Sequence, residues 1–587
     1  MKHETQARSA DTLRGTLLCA AIVLSAVAYS FRLTSFLHAK EAVLALFLVV
    51  MAVIVALRGN VSIEGFRAFS PLWTYLILSG IASLVVFPAR VPSDTVVELV
   101  RCGILLTVTA CVYGLLHERP WRERVTDALL GSMALVAVLG LLQYAGVLSF
   151  LFPAFPAYGQ RVYSVFGNQD LFGGYLAIGI PLAVRRTLTR APFRPSDLVL
   201  VAILLAGLMI SGSRSAWLAM AAGVLVSIPH RHVTRPGVAA LGGTCALIIL
   251  MAVWLAPEAT YRRVVTTFSP EDQGGRLRLW FWDGTLRMIR DAPIVGMGLG
   301  NYAYWSPRYL GDALHAPGGR THTHNELHTE HAHSEPLQIL AETGLVGTCC
   351  WVWMLMRALR CRGPECGAEA LRAPWGGLTA LLVFSLFNAG FHSAPHALAG
   401  LLLVGMLSAD GYPPTRLAKS PLAAYGFAGC ALLMAAFFVW AVLIPSCRLR
   451  TAEDLHLAGK DCLGQYQKVI RHPWPNARGH EEYAIALLHA GRSELAYHEF
   501  QRALEGLDTG SVYLGLATLA RSCGDEPRQQ QWIDACFHRW PSSPMLWELI
   551  FRESPPHEQA RVREEASQWN VSLAARGESR DCTPSSF

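Results

Sequence analysis

The chain has 587 residues, of which 52% are apolar and only 16% are charged, and its formal net charge is +7. Ordinary soluble domains carry about 25% charged residues, so the composition excludes a soluble enzyme of this length. The positive charge is mild and dispersed over short loops, which favours a membrane-orientation signal over a nucleic-acid-binding face.

A membrane-spanning helix needs about 20 mostly apolar residues, and thirteen segments of the chain meet this description approximately. They cover residues 15–33, 41–57, 69–87, 98–116, 126–147, 170–184, 197–212, 215–229, 236–255, 338–358, 374–390, 396–410 and 424–445. The sequence therefore predicts an all-α fold, in which residues 15–445 form a polytopic helical bundle of about 13 spans.

The positions of arginine and lysine predict which side each loop faces, because these residues accumulate in short cytoplasmic loops. They collect in every second loop: Arg119, Arg122 and Arg124; Arg185, Arg186, Arg190 and Arg194; Arg231 and Arg235; Arg357, Arg360, Arg362 and Arg372; Arg416 and Lys419. This pattern places the N-terminus, residues 1–14, in the cytoplasm. The long segment 256–337 and the C-terminal segment 446–587 then lie outside, which in a bacterium is the periplasm.

The C-terminal segment 446–587 has the composition of a soluble domain, since charged residues return after Pro445. Small and aromatic residues recur there at a spacing close to 34 residues. They are Ala484, Gly491, Ala496, Phe500 and Ala503 in a first copy, and Ala517, Gly524 and Pro541 in a second. This pattern resembles tetratricopeptide repeats, and the alternative is an unrelated pair of helical hairpins. Either one is a small α-helical domain through which a protein partner could dock. Cys523 and Cys536 fall on one candidate hairpin and could pair in an oxidising compartment.

Two short polar motifs lie at the outer ends of predicted spans. In residues 166–175, Asn168 or Asp170 could cap the sixth span, and capping alone accounts for most of this motif. Arg214 lies in the turn 211–215 between two apolar segments. An orientation arginine belongs on the cytoplasmic side, whereas the predicted topology places Arg214 outside. Because its planar fork of donors suits phosphate, Arg214 indicates an anion site.

The outer segment 256–337 contains three further features. Residues 276–290 show the spacing of an amphipathic helix lying along the membrane surface. Gly296, Gly298 and Gly300 follow, but no preceding strand supports a nucleotide loop.

The third feature is a cluster of five histidines within twelve residues: His322, His324, His328, His331 and His333. His324, His328 and His331 would share one face of a helix, so a metal site is one interpretation, although no carboxylate or cysteine set elsewhere completes it. A single histidine at the top of the tenth span, acting as general base near an arginine-bound phosphate, explains more. His392 and His396 lie in a short outer loop and either approach the same mouth or are interfacial residues without a role.

Five motifs in order resemble the O-antigen ligase and polymerase family of membrane glycosyltransferases. They are Phe-Gly-Asn before a Gly-Tyr-Leu-Ala helix, Gly-Ser-Arg before a Trp, Gly-Arg-x-x-x-Trp, Pro-x-x-Gly-x-Gly-x-Gly-Asn, and His-x-x-x-Leu-Gln-x-x-Ala-Glu-x-Gly-x-x-Gly from His333 to Gly347. Together they cover roughly residues 160–350. Ser334 stands where the family commonly has Asn, which leaves the local hydrogen bonding of His333 in doubt.

The resemblance implies a GT-C-like bundle that moves a glycan from a polyprenyl-diphosphate carrier to an acceptor hydroxyl on the outer face of the inner membrane. It implies inverting transfer without a metal ion or cofactor. Carried over to this chain, Arg214 and Arg276 would hold the donor diphosphate and His333 would activate the acceptor oxygen. Supporting candidates are Asn168, Arg278, His331 and His392.

Three acceptors remain open: lipid A–core, as for a ligase in lipopolysaccharide biosynthesis; a Ser or Thr of a pilin or other protein; and the growing polysaccharide itself. From a different class, a transporter or flippase of lipid-linked sugars would carry charges deep within its spans, and the middles of the candidate spans are nearly free of charge. A non-catalytic scaffold is a further alternative.

Overall fold

The computed structural model describes residues 2–58, 64–87, 89–147, 162–190, 192–228, 273–322, 329–360, 371–409 and 420–573, together with isolated positions between 235 and 246. Over these residues the chain forms helices and no β-strand, which confirms the predicted all-α fold.

The described residues of the first part of the chain form fifteen α-helices. They are α1 (Lys2–Val27), α2 (Phe36–Arg58), α3 (Glu64–Ala68), α4 (Ser70–Ile81), α5 (Pro92–Val112), α6 (Arg119–Tyr144), α7 (Gln169–Thr189), α8 (Pro195–Ser211), α9 (Arg214–Ser227), α10 (Gln273–Asp291), α11 (Tyr302–His315), α12 (Glu335–Arg360), α13 (Arg372–Ser385), α14 (Ala394–Ser408) and α15 (Pro421–Phe438). Twelve of the thirteen predicted spans coincide with helices in this set or with the start of α16 (Ile444–Leu457). The remaining one, 236–255, lies almost entirely outside the described residues.

Within the described ranges, five helical stretches are long and apolar enough to cross a membrane: Phe36–Arg58, Pro92–His117, Arg119–Tyr144, Glu335–Ala358 and Pro421–Leu457. Others, such as Pro195–Ser211 and Ala394–Ser408, are apolar but shorter. The chain is therefore a multi-pass membrane protein, while the number of thirteen spans and their orientation stay predictions.

Helices α7 and α14 form the centre of the bundle, because nearly every residue along them is buried. Glycine makes the close packing of α7 possible. A Cβ on Gly174 would come within 2.4 Å of the Phe384 ring on α13, and one on Gly173 would lie 2.6 Å from the Ser211 hydroxyl at the end of α8. These contacts fix the N-terminal end of α7 against the turn that carries Arg214.

As far as residue 573, the C-terminal segment contains α16 and seven further α-helices. These are α17 (Leu463–Ile470), α18 (Ala477–His489), α19 (Ser493–Ala503), α20 (Gly510–Ser522), α21 (Glu526–Arg539), α22 (Pro544–Glu553) and α23 (Gln559–Gln568). Gly491 and Gly524, both with φ of +71°, follow the first helix of two hairpins, and Ala484 and Phe500 are buried between the helices. The assignment of these hairpins to a repeat family stays a prediction.

The C-terminal helices pack directly on the segment between α9 and α12. Trp280 on α10 and Leu310 on α11 share one apolar cluster with Trp547 and Trp569. The hypothesis of a disulfide between Cys523 and Cys536 is not supported, because the structure does not join the two residues: Cys523 lies at the surface and Cys536 in the interior. The packing of Trp280 against Trp547 and Trp569 covers the aromatic face of α10 with protein.

Candidate functional site

Arg214 occupies the first position of α9, immediately after a tight turn. Gly212 makes that turn with φ of +61°, which is the left-handed conformation that glycine adopts without strain. Two buried serines follow it, and the hydroxyls of Ser213 and Ser215 lie 3.2 Å apart. The Asn388 amide donates a hydrogen bond of 2.7 Å to Ser215. The backbone that carries Arg214 is therefore held from two sides.

The Phe-Gly-Asn motif acts as a helix start. The Asn168 side chain accepts hydrogen bonds from the backbone N–H groups of Asp170 (2.8 Å) and Leu171 (3.1 Å), so it caps α7 as predicted. Asp170 then projects toward α10 and pairs with Arg278 at 3.5 Å. A Cβ on Gly173, one turn further along α7, would lie 3.1 Å from the Cβ of Ser213, which places Asp170 and Arg214 at the same end of the bundle.

Helix α10 carries both arginines of the Gly-Arg-x-x-x-Trp motif, and the predicted helix over 276–290 matches its bounds. Arg276 is half-buried, and its Nε atom is buried without a hydrogen-bond partner among the described residues. The next two aromatic residues of α10, Trp280 and Phe281, are buried against the C-terminal helices. The position of α10 relative to a membrane surface stays a prediction.

His333 lies in the loop just before α12, with φ of +49°, a conformation uncommon for a residue other than glycine. Its ring stacks on Phe281 with centroids 5.4 Å apart and planes 17° apart. Burial, and next the positive charge of Arg278, lower the pKa of His333 to about 4, against an opposing effect of Asp170. The imidazole is therefore neutral at pH 7 and able to accept a proton.

His331, in the same loop as His333, forms a pair with His392, which lies in the loop between α13 and α14. The rings of His331 and His392 are 4.6 Å apart, and the Gln338 amide nitrogen is 3.3 Å from a ring nitrogen of each. Glu335 pairs with His392 at 3.1 Å. Burial lowers the pKa of His392, but the Glu335 carboxylate outweighs this and raises it well above its ordinary value. Burial and His392 lower the pKa of His331 well below its ordinary value.

The glycine-rich motif supports a kink in α12 and does not form a nucleotide loop. At Gly344 the helix takes φ of +60° and ψ of −160°, which frees backbone groups on both sides of the break. The N–H groups of residues 345 and 346 donate to the carbonyls of 293 and 294, at 2.9 and 3.2 Å, and those of 297 and 298 donate to the carbonyls of 341 and 342, at 2.8 and 3.0 Å. The loop thus pairs the peptide groups that the kink leaves open, as a broken helix in a membrane protein requires.

The Glu342 carboxylate joins this loop to the histidine pair. It accepts from the backbone N–H groups of Gly300, at 2.9 Å, and Tyr302, at 3.3 Å, and also from the Gln338 amide at 3.2 Å. The Leu-Gln-x-x-Ala-Glu part of the motif therefore encodes a chain of side chains that ends at His331 and His392.

A cavity of about 540 Å³ opens beside these histidines. An ion-paired cluster lines it, in which Arg101 of α5 lies 3.3 Å from Glu41 of α2 and 3.7 Å from Glu98. His38, Asp94, Glu330, His331, His392 and Arg478 also line it. None of the predicted site residues belongs to the ion-paired trio of Arg101, Glu41 and Glu98, although ionisable residues within apolar segments are functional candidates by default. Glu41 and Arg101 lie just inside two predicted spans.

Lys40 is a further buried cation that sequence reasoning overlooked. It is fully buried and donates hydrogen bonds to the carbonyls of Ala26 (2.7 Å) and Ala28 (3.0 Å), and its ammonium lies 4.5 Å from the centroid of the Phe166 ring. Phe166 also packs on His396, which is fully buried among aromatic rings. Of the two alternatives for this outer loop, His392 approaches the site and His396 belongs to the core.

The metal interpretation finds no support in the described residues, where no group of three His, Cys, Asp or Glu side chains is arranged to hold an ion. His324 and His328 lie outside the described residues. His331 lies in a non-helical loop, so the expectation of one shared helical face is wrong for this histidine.

Residues 199–352 of the chain match the family described as O-antigen ligase. The match covers about a quarter of the chain and includes Arg214, Arg276 and His333, and it confirms the family resemblance found from the motifs. In general terms, it supports a membrane glycosyltransferase of the O-antigen ligase or polymerase type, whose family implies a lipid-linked glycan donor. No curated protein matches the chain.

Proposed function

We propose that this chain transfers a glycan from a polyprenyl-diphosphate carrier to an acceptor hydroxyl, as a ligase of the O-antigen type in a bacterial inner membrane. The carrying observation is the arrangement around His333: a neutral imidazole stacked on α10, beside an arginine of the same helix, at the end of the bundle where α7 and α9 begin. The reaction takes place on the periplasmic face in this proposal.

The proton acceptor is His333. An acceptor hydroxyl ionises far above neutral pH, so its attack on the sugar gains from a base that removes the proton as the new bond forms. The depressed pKa keeps the ring neutral in the resting enzyme. Asp170, which forms an ion pair with Arg278, favours the imidazolium that forms during transfer, because its negative charge raises the pKa of His333.

The donor diphosphate binds to Arg214 and Arg276. As the sugar–oxygen bond breaks, the leaving diphosphate gains negative charge, and arginines already held in place stabilise that charge without reorganising. The serines around Arg214 and the packed aromatic face of α10 supply this positioning. Attack from the side opposite the diphosphate inverts the anomeric centre, and the transfer needs no metal ion in this proposal.

The acceptor distinguishes three versions of the proposal. Lipid A–core corresponds to a ligase, a Ser or Thr of a pilin or other protein to a protein O-oligosaccharyltransferase, and the growing chain to a polymerase. Deletion of the gene separates them: it removes polysaccharide from the lipid, leaves the protein unmodified, or leaves glycan at one repeat unit. The helical C-terminal segment offers a surface for a protein partner.

The test combines two site variants with two matched surface variants. Arg214→Ala and His333→Ala should abolish transfer to a panel of acceptors in reconstituted membranes while the protein still inserts and accumulates. Arg502→Ala and His557→Ala, on exposed positions of the C-terminal helices, should retain activity. Wild-type transfer by both site variants would contradict the assignment. Activity should survive treatment of the membranes with EDTA, and its loss there would overturn the metal-free mechanism.

A further inference from the structure

A basic concavity of about 420 Å³ lies where the last long apolar helix meets the C-terminal helices. Trp440 and Ile444 from the helical stretch Pro421–Leu457 form one wall. The charged and ionisable residues of the lining are Arg448, Lys468, Arg471 and His472. It is remote in sequence from the family-matched segment.

The charge in this concavity is of one sign. Arg448, Lys468 and Arg471 are exposed, and none of them forms an ion pair with a carboxylate in the part of the chain that the structure describes. Arg448 instead donates a hydrogen bond of 3.2 Å to the Lys468 carbonyl, which ties α16 to α17 and holds the cations together. Like charges gathered in this way repel one another unless an anion lies between them.

The concavity lies at the depth of lipid headgroups. The helix is apolar and exposes large side chains such as Leu422, Leu433 and Val439 along its length, as a surface facing lipid acyl chains does. Trp440 follows directly, and Arg448 comes eight residues later, about 12 Å further along the axis. Tryptophan at the end of an apolar stretch marks the interface between membrane and water.

A cluster of aromatic rings joins the end of this apolar helix to the C-terminal helices. Trp474 packs on Phe437 with ring centroids 4.9 Å apart and on Trp440 at 5.7 Å. His472, in the same lining, lies 5.2 Å from Trp440. The aromatic floor of the concavity is therefore packed but only partly buried, since Trp440 is 38% exposed, and the cations around it are exposed as well.

We infer that this concavity binds the phosphate of an anionic phospholipid in the leaflet next to the C-terminal helices, with Arg448, Lys468 and Arg471 around the headgroup and Trp440 beside the glycerol region. Clusters of basic residues next to a spanning helix attract anionic lipids by about 1 kcal/mol per residue. The bound lipid joins α16 to α17 and fixes the orientation of the C-terminal helices on the membrane. This inference does not depend on the proposed transfer reaction.

The experiment compares amide hydrogen exchange of residues 463–473 in the full-length protein, in nanodiscs of phosphatidylcholine alone and in nanodiscs with phosphatidylglycerol. Phosphatidylglycerol should slow exchange of this segment about tenfold, which corresponds to about 1.4 kcal/mol. Lys468→Gln/Arg471→Gln should abolish that protection. Lys460→Gln/Arg492→Gln removes one lysine and one arginine from exposed positions in the loops that follow α16 and α18, outside the concavity, and should retain it.

Three results would overturn the inference. Undiminished protection in Lys468→Gln/Arg471→Gln would show that these cations do not hold the lipid. Equal loss in the control pair would reduce the effect to diffuse surface charge. Full protection by inorganic phosphate in phosphatidylcholine nanodiscs would assign the site to a soluble anion instead of a lipid. A matching thermal unfolding midpoint for both double variants excludes misfolding as the cause.

Discussion

Replacement of Arg278 by Gln should raise the pKa of His333. Arg278 is the second cause of the low pKa of this histidine, after burial. It lies one helical turn, about 5.4 Å, from Phe281, whose ring centroid is 5.4 Å from that of His333. A unit charge roughly 10 Å away, at an effective dielectric constant of about 20, disfavours protonation by about 1.7 kcal/mol, which corresponds to about one pH unit.

The expected pKa in Arg278→Gln therefore lies about one pH unit above the value near 4. It stays below the ordinary 6.5, because burial, the larger cause, is unchanged. Loss of the ion pair at 3.5 Å also frees Asp170 to favour the charged ring. The acid limb of transfer activity should move upward with the pKa, since the base acts only when neutral and is protonated below its pKa.

Hydrogen exchange at the imidazole C2 position, followed by mass spectrometry of the peptide that contains His333, measures this pKa directly and without any acceptor. Arg287→Gln is the matched control, because Arg287 lies on the same helix and pairs with Asp283 at 3.3 Å. An unchanged midpoint in Arg278→Gln, or an equal change in Arg287→Gln, would refute the electrostatic coupling between α10 and the base.

Three further variants test the scaffold around the site. Glu335→Gln should lower the midpoint of C2 exchange at His392, because it removes the carboxylate that raises the pKa of this histidine. In the wild type, the ion pair between Glu335 and His392 stabilises the folded protein fully below about pH 6.5, and this stabilisation is lost as the pH rises past the raised pKa of His392. Thermal unfolding midpoints measured over a pH series should show this loss. Asn168→Ala should lower stability by about 1 kcal/mol through the loss of a helix cap, and an unchanged unfolding midpoint would contradict that role. Gly344→Ala should cost more, at least about 2 kcal/mol, because φ is +60° and a Cβ would lie 2.3 Å from the Ile294 carbonyl carbon; normal yield and midpoint would show that the kink tolerates a side chain.

The helices and the helix caps could be predicted from the sequence because both depend on residues that are close together in the chain. Apolar runs predict helices without any knowledge of packing, and Asn168 precedes its helix in the order that capping requires. The Gly-Ser-Arg and Gly-Arg motifs were likewise found as local patterns. For the same reason, the prediction for His331 was wrong: histidines spaced three and four residues apart also fit a helix, but His331 itself lies in a non-helical loop.

The ion-paired cluster could not be predicted because its central pair, Arg101 and Glu41, is formed by residues distant in sequence. Arg101 and Glu41 come from different helices and meet only after α2 packs on α5. Each alone resembles a polar residue at the edge of a span, and nothing in either segment identifies the other. The pairing of Asp170 with Arg278 across 108 positions was hidden in the same way.

The structure makes the C-terminal helices part of the site's framework, although they lie outside the family-matched segment. Phe281 stacks on His333, and the same ring belongs to the apolar cluster that contains Trp547 and Trp569. Because Trp280 and Phe281 pack in one cluster with Trp547 and Trp569, the register of α10 depends on α22 and on the residues after α23. The rotation of α10 that brings Arg278 toward Asp170 and Phe281 under the imidazole is thus stabilised from outside the membrane part of the chain. A change in those C-terminal contacts would act on the orientation of the base without touching it.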